Sequence, residues 1–148
     1  MHLTTLTDYA LRLLMHVAQH PDRLCTIAEV AQRYDISQAH LMKVTHRLAL
    51  CGWIETVRGK GGGMRLARPA ADIRLGAVVR DMESDFALVE CFGPGKACAL
   101  DGQCRLAGVL DAALHEFLRH LDGYSLQDIL PRGRPRAPGR PALVMLRP

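Results

Sequence analysis

Between Cys91 and Cys104 the chain reads Cys-Phe-Gly-Pro-Gly-Lys-Ala-Cys-Ala-Leu-Asp-Gly-Gln-Cys, so three of its five cysteines, Cys91, Cys98 and Cys104, share one short stretch. Gly93, Pro94, Gly95 and Gly102 interrupt any helix or strand there and leave the backbone free to curl and gather three sulfurs. Thiolates are soft donors that select zinc, copper(I) or iron-sulfur clusters, and a lone metal site normally takes four protein ligands. The loop offers three, so the fourth must come from elsewhere. This uneven, Gly/Pro-rich spacing points to metal or cluster binding rather than to three separate core cysteines. Cys25 and Cys51 lie in apolar patterns and read as core residues, and the seven histidines scatter without ligand spacing.

The composition narrows the setting. No apolar run reaches membrane-spanning length, and Asp8 and Arg12 interrupt the first apolar segment, which argues against a signal peptide and places the protein in the cytoplasm. In that reducing compartment an odd number of cysteines argues for metal or redox chemistry over a disulfide framework. No Ser/His/Asp grouping, no Cys/His pair near the reactive loop and no isolated acid pair supports an enzyme. The net charge is +4. Residues 1–80 carry 11 Lys/Arg against 6 Asp/Glu, residues 81–130 carry 3 against 9, and residues 131–148 carry 5 against none. A basic first half joined to an acidic second half suggests that the first faces a polyanion, with nucleic acid leading.

The elements that must position these residues follow from periodicity and caps. Leu6, Tyr9, Ala10, Leu13, Leu14 and Val17 predict a first helix over 5–19, with Thr5 and Asp8 in capping-box spacing. Thr26 and Glu29 open a short second helix that stops near Asp35, and Ser37 caps a third through about Cys51, with Leu41, Val44, Leu48 and Cys51 inward and Gly52 ending it. Trp53–Val57 and Met64–Ala67 flank a glycine-rich tip and read as a hairpin. A short helix is predicted over 72–83. After Cys104 comes a longer one in which Leu106, Val109, Leu110, Ala113, Leu114, Phe117, Leu118 and Leu121 form a stripe in need of a partner, best supplied by a second subunit. Gly123 ends it and Ser125–Asp128 starts a last short helix. The expected fold is therefore mainly α with a small β-hairpin wing. It comprises a winged helix-turn-helix DNA-binding domain over 1–80, a cluster-binding loop and dimerisation helix over 81–130, and a basic, Pro/Arg-rich disordered tail over 131–148.

In a helix-turn-helix the second helix enters the major groove, which puts Gln38, Ala39, His40, Lys43 and Arg47 toward base edges and phosphates. The wing puts Arg58, Lys60 and Arg65 along the backbone. No Gly-x4-Gly-Lys-Ser/Thr pattern supports a nucleotide site in the glycine-rich tip.

The opening Leu3–Arg12, then Ser37, His40, Leu41 and Lys43, then Val57-Arg58-Gly59-Lys60 with Gly62-Gly63, and finally the three-cysteine loop together resemble the Rrf-type winged-helix iron-sulfur regulators, over about residues 1–130. The likeness is strongest to the nitric-oxide-sensing repressors among them. It implies a homodimeric repressor that binds an operator in double-stranded DNA, with Ser37 in the reading set and an iron-sulfur cluster on Cys91, Cys98 and Cys104. Nitric oxide would be the signal, cluster loss or nitrosylation releasing DNA. Members that regulate cluster assembly place a His three residues past the last Cys, where this chain has Ala107; the nitric-oxide-sensing members use an acidic residue of the first helix, here Asp8, donated by the partner subunit. Three thiolates and one carboxylate could serve a 4Fe-4S cluster, which is favoured, or a 2Fe-2S cluster. Other readings are a cluster regulator tuned to redox state or iron supply, and a zinc-stabilised DNA-binding protein. Met64 stands where much of the wider family carries an aromatic residue.

Overall fold

The structure, a computed structural model, describes residues 2–93, 100 and 103–131. Cys98 and residues 132–148 of the basic tail lie outside the described residues. The first helix, α1, spans Thr5–Ala18, followed by α2 over Ile27–Tyr34 and α3 over Gln38–Leu50. Strands β1 (Ile54–Val57) and β2 (Gly63–Leu66) pair antiparallel, with Ile54 opposite Leu66 and Val57 opposite Gly63. Helix α4 (Leu75–Met82) and the long α5 (Arg105–Asp122) complete the main elements, and short 3-10 turns occupy Ala70–Asp72, Glu90–Phe92 and Leu126–Ile129. This is the expected winged helix-turn-helix with a long helix appended.

The local signals explain the boundaries. Thr26 accepts from the Glu29 N–H while the Glu29 carboxylate accepts from the Thr26 N–H at 2.9 Å, a complete capping box. Asp35 ends α2 in the left-handed region at φ 54°, which turns the chain sharply enough for Ser37 to cap α3 through the His40 N–H. At α1 the structure corrects the expected cap. Thr4, not Thr5, is the N-cap, and the Thr7 N–H donates to Thr4 Oγ1. The choice is tertiary: Glu83, just past α4, accepts from both the Thr4 N–H at 2.7 Å and the Thr4 hydroxyl at 3.2 Å.

Ala10, Leu13, Leu14 and Val17 of α1, Val30 of α2, Leu41, Val44 and Leu48 of α3, and Trp53, Ile54 and Met64 of the hairpin form one buried core with Val78 and Met82 of α4. Cys51 sits at its edge, half-buried at the C-cap of α3, whereas Cys25 is fully buried. Leu126, from beyond α5, is also fully buried in this core. Backbone bonds hold the return in place, the Leu126 N–H donating to Ile73 O at 2.8 Å and the Leu75 N–H to Tyr124 O at 3.0 Å. The C-terminal end of α5 is thus referenced to the winged helix through this clasp.

Candidate DNA-reading surface and cysteine loop

Helix α3 buries one face and exposes the other. Leu41, Val44 and Leu48 turn inward, while Ser37, Gln38, Ala39, His40, Lys43 and Arg47 are all exposed. His40 is held at the N-terminal turn, its Nδ1 3.0 Å from Ser37 Oγ and its ring 6.2 Å from that of Tyr9 on α1. Arg47 is restrained differently: its Nε–H and an Nη–H donate to the Asp81 carbonyl at 3.1 and 2.8 Å. Its fork therefore links α3 to the end of α4, and part of its hydrogen-bonding capacity is spent within the protein.

Asp81 is a second anchor that motif reading missed. Its carboxylate accepts from the Trp53 indole N–H at 2.8 Å, fixing the root of the wing, and the Arg68 guanidinium lies 4.9 Å over the Trp53 ring. Trp53 thereby joins α4 to the hairpin. A buried tryptophan whose N–H needs a partner was the available signal, but only the fold reveals which carboxylate supplies it.

The wing carries cations of two kinds. Arg65 is matched across the strands by Glu55, its register partner, at 2.8 Å. Arg58 and Lys60 are exposed, and no ion pair engages them among the described residues. Gly59 and Gly61 take φ of 98° and 77° between them, a tip conformation open to glycine but strained for other residues. At the base of the hairpin a Cβ on Gly63 would stand 2.6 Å from the Cys25 carbonyl oxygen, so the close approach of those backbones requires glycine.

Of the cluster ligands implied by the resemblance, Cys91 is exposed in the turn Glu90–Phe92 and Cys104 is half-buried at the N-cap of α5. The Cys104 side chain makes no capping bond at the start of α5, which leaves its sulfur available as a soft donor. That donor set fits an iron-sulfur group. Asp8 is half-exposed on α1 and pairs with Arg12 one turn on, at 2.9 Å. It does not cap the helix, a role Thr4 and Thr7 fill. Within one chain Asp8, Cys91 and Cys104 do not form a ligand group among the described residues. The group that does form is one the sequence reading passed over. His16, His20 and Cys25 bring their donor atoms within 4.8 Å of one another, which corrects the view that the histidines lack ligand spacing.

Along α5, Leu118 is buried and Leu110, Leu114, Phe117 and Leu121 are half-buried, but Leu106 and Val109 remain 63% and 65% exposed. Leu114 and Phe117 line a groove of about 560 Å³ with Leu3, Phe86 and Leu88. No helix among the described residues is long and apolar enough to cross a membrane.

Comparison with known proteins agrees with this anatomy. Residues 3–132 match the model of the Rrf2 family, described as iron-dependent transcriptional regulators. The chain is 48% identical over 132 residues to the HTH-type transcriptional regulator NsrR of Halalkalibacterium halodurans, covering 88% of this chain and 90% of the relative. The NsrR of Bacillus subtilis is 46% identical over the same shares. Among solved structures, T. potens IscR superposes with a TM-score of 0.70 at 24% identity, covering 87% of this chain and 85% of that one. CymR, the global cysteine regulator of B. subtilis, gives 0.72 at 20%, covering 87% and 95%. With its reading helix, wing and appended α5, this chain belongs to the Rrf2 family of winged-helix transcriptional regulators, which are DNA-binding proteins and not enzymes.

Proposed function

We propose that the protein acts in the cytoplasm as a homodimeric repressor, occupying its operator while an iron-sulfur cluster is in place and leaving it when nitric oxide reaches that cluster. The observation that carries this reading is the place of Cys104. It heads α5 with an unspent side chain, and the first turns of the same helix expose Leu106 and Val109. A ligand of the sensing loop and the apolar surface offered to a second copy thus share one rigid element.

Cys91, Cys98 and Cys104 would hold the group, with Asp8 of the other copy completing it. A cluster of the 4Fe-4S type would supply iron open to nitric oxide, with the Asp8 carboxylate a hard donor among soft thiolates. Loss of that common anchor would release Cys104 and leave the start of α5 free to shift. Asp122 and Leu126 tie the far end of α5 to the winged helix, so a shift at the dimer seam alters the separation of the two reading helices. Half-sites about 34 to 36 Å apart tolerate little misfit. Gln38, Ala39, His40 and Lys43 read base edges in this arrangement, Ser37 and Arg47 flank them, and Arg58, Lys60 and Arg65 line the phosphates. The strong likeness to NsrR relatives over most of the chain supports the assignment.

A gel-shift titration of the anaerobic, cluster-loaded dimer with nitric oxide tests it, with Cys98→Ala alongside. Operator affinity should fall in step with the cluster absorbance, and the variant should bind poorly from the start. Full affinity after the absorbance has vanished overturns the proposal.

A further inference from the structure

Outside the cysteine loop, the end of α1 carries a cluster of donors that the DNA-binding reading does not use. His16 lies in the last turn of α1 and His20 one turn further on, their rings 4.7 Å apart. Cys25 lies beneath them in the segment leading to α2. We propose that His16, His20 and Cys25 form a second metal site, separate from the cluster loop, that takes one zinc ion through two imidazoles and one thiolate, with water in the open position.

Three independent features support it. His16 is only 8% exposed, and its Nε2 is buried without any hydrogen-bond partner, an unmet donor-acceptor position that a metal would satisfy. The Nδ1–H of His20 donates to the His16 carbonyl at 2.8 Å, which fixes its tautomer and leaves the Nε2 lone pair for a metal; backbone carbonyls orient metal-bound imidazoles in the same way. Cys25 is held rigidly, since its N–H donates to Met64 O at 2.9 Å and its carbonyl accepts from the Met64 N–H at 2.8 Å, so its sulfur stays where the backbone puts it.

The donors lie within 4.8 Å of each other. Tetrahedral zinc, with bonds of about 2.0 to 2.3 Å, holds its donors about 3.3 to 3.8 Å apart. Half-buried His20, beyond the end of α1, can close that gap by a small ring movement. Burial acts on the two buried donors in opposite directions. Burial pushes the His16 pKa down, so the ring is already neutral, whereas burial pushes the Cys25 thiol up. Binding therefore forms the Zn–S bond as the S–H bond breaks, and one proton passes to solvent. A filled site would join the end of α1 to Met64 of β2, bracing the root of the wing.

The test uses the full-length, cluster-loaded protein, in which the loop thiolates are occupied, titrated anaerobically with zinc and then with cobalt(II) as a chromophoric substitute. One ion per chain should bind, with a thiolate-to-cobalt charge-transfer band and unchanged iron content. Affinity should rise about tenfold per pH unit while the thiol remains protonated. Cys25→Ala should abolish the band, His20→Gln should weaken binding at least tenfold, and Cys51→Ala should change neither. His20 lies at the edge of the fold, so its variant remains informative should Cys25→Ala fail to fold. Wild-type affinity in His20→Gln, or no binding by the cluster-loaded wild type, overturns the site. Neither result touches the nitric-oxide reading, which rests on other residues.

Discussion

Asp122, the last residue of α5, places both carboxylate oxygens on the Arg80 guanidinium of α4, at 2.7 and 2.6 Å, directly over Gly76. A Cβ at Gly76 would overlap Asp122 Oδ1 and come within 3.0 Å of the Asp122 backbone nitrogen. Gly76→Ala should therefore push α5 off α4. Overpacking costs about 1–3 kcal/mol and the better helix former returns up to about 1, so a net loss of about 1–2 kcal/mol is expected in urea unfolding. A more stable variant would show that α5 moves aside freely.

The same pair sets an acid response. Hydrogen bonds from Arg80 hold the Asp122 carboxyl below its ordinary value of 3.8. A lowered folded-state value means that the pair's stabilisation is fully present above the unfolded value and is lost as pH falls through the folded one. Both partners are about two-fifths exposed, so the contribution is below about 1 kcal/mol. Asp122→Asn should flatten stability against pH below about 4 and leave its slope near neutrality unchanged.

Lys43 and Arg47 lie on one face of α3, yet their replacement should differ. Lys43→Ala should weaken operator binding at unchanged stability. Arg47→Ala also removes two hydrogen bonds to the Asp81 carbonyl, so it should cost about 1 kcal/mol in chemical denaturation besides any loss of DNA affinity. Equal stability of the two variants would mean that the link between α3 and α4 contributes nothing.

On the wing, Arg58→Ala and Lys60→Ala should weaken binding to every sequence alike. Each should reduce the slope of log affinity against log salt by about 0.9 for every phosphate it leaves without a cation. Arg65→Ala should act more weakly, because Glu55 already offsets that charge. Fluorescence anisotropy across a salt series measures all three, and identical slopes in wild type and variants would remove the wing from the interface.

Asp8→Ala isolates the proposed fourth ligand. With Thr4 serving as N-cap, the substitution removes one exposed pair with Arg12, worth about 0.3–0.5 kcal/mol. The melting transition should barely move while the cluster bleaches faster under nitric oxide. An unchanged bleaching rate in a folded dimer would strike Asp8 from the ligand set.

Much of the fold was readable from local pattern. The apolar spacing in α1, α3 and α5 and the caps at Thr26, Ser37 and Ser125 act over three or four residues, so neighbouring side chains suffice to specify them. The exposed face of α3 followed directly, because 3.6-residue periodicity assigns Lys43 outward once Leu41, Val44 and Leu48 turn in. The expected helix over 72–83 is present as the shorter α4, preceded by the 3-10 turn Ala70–Asp72, and its start is held by a backbone pairing of Arg74 with Ser125. That pairing reaches across a third of the chain.

What the amino-acid order alone determined was the set of elements, their polar and apolar faces and the grouping of three cysteines in one loop, since each depends on residues a few positions apart. Tertiary structure decided which threonine caps α1, because Glu83 selects Thr4 from 79 residues away. It also committed Arg47 to Asp81 and brought His16 and His20 over Cys25. The histidine spacing was visible in the chain, but the third donor is set by the pairing of Cys25 with Met64 on β2, a long-range contact that exists only once the hairpin has closed on the core.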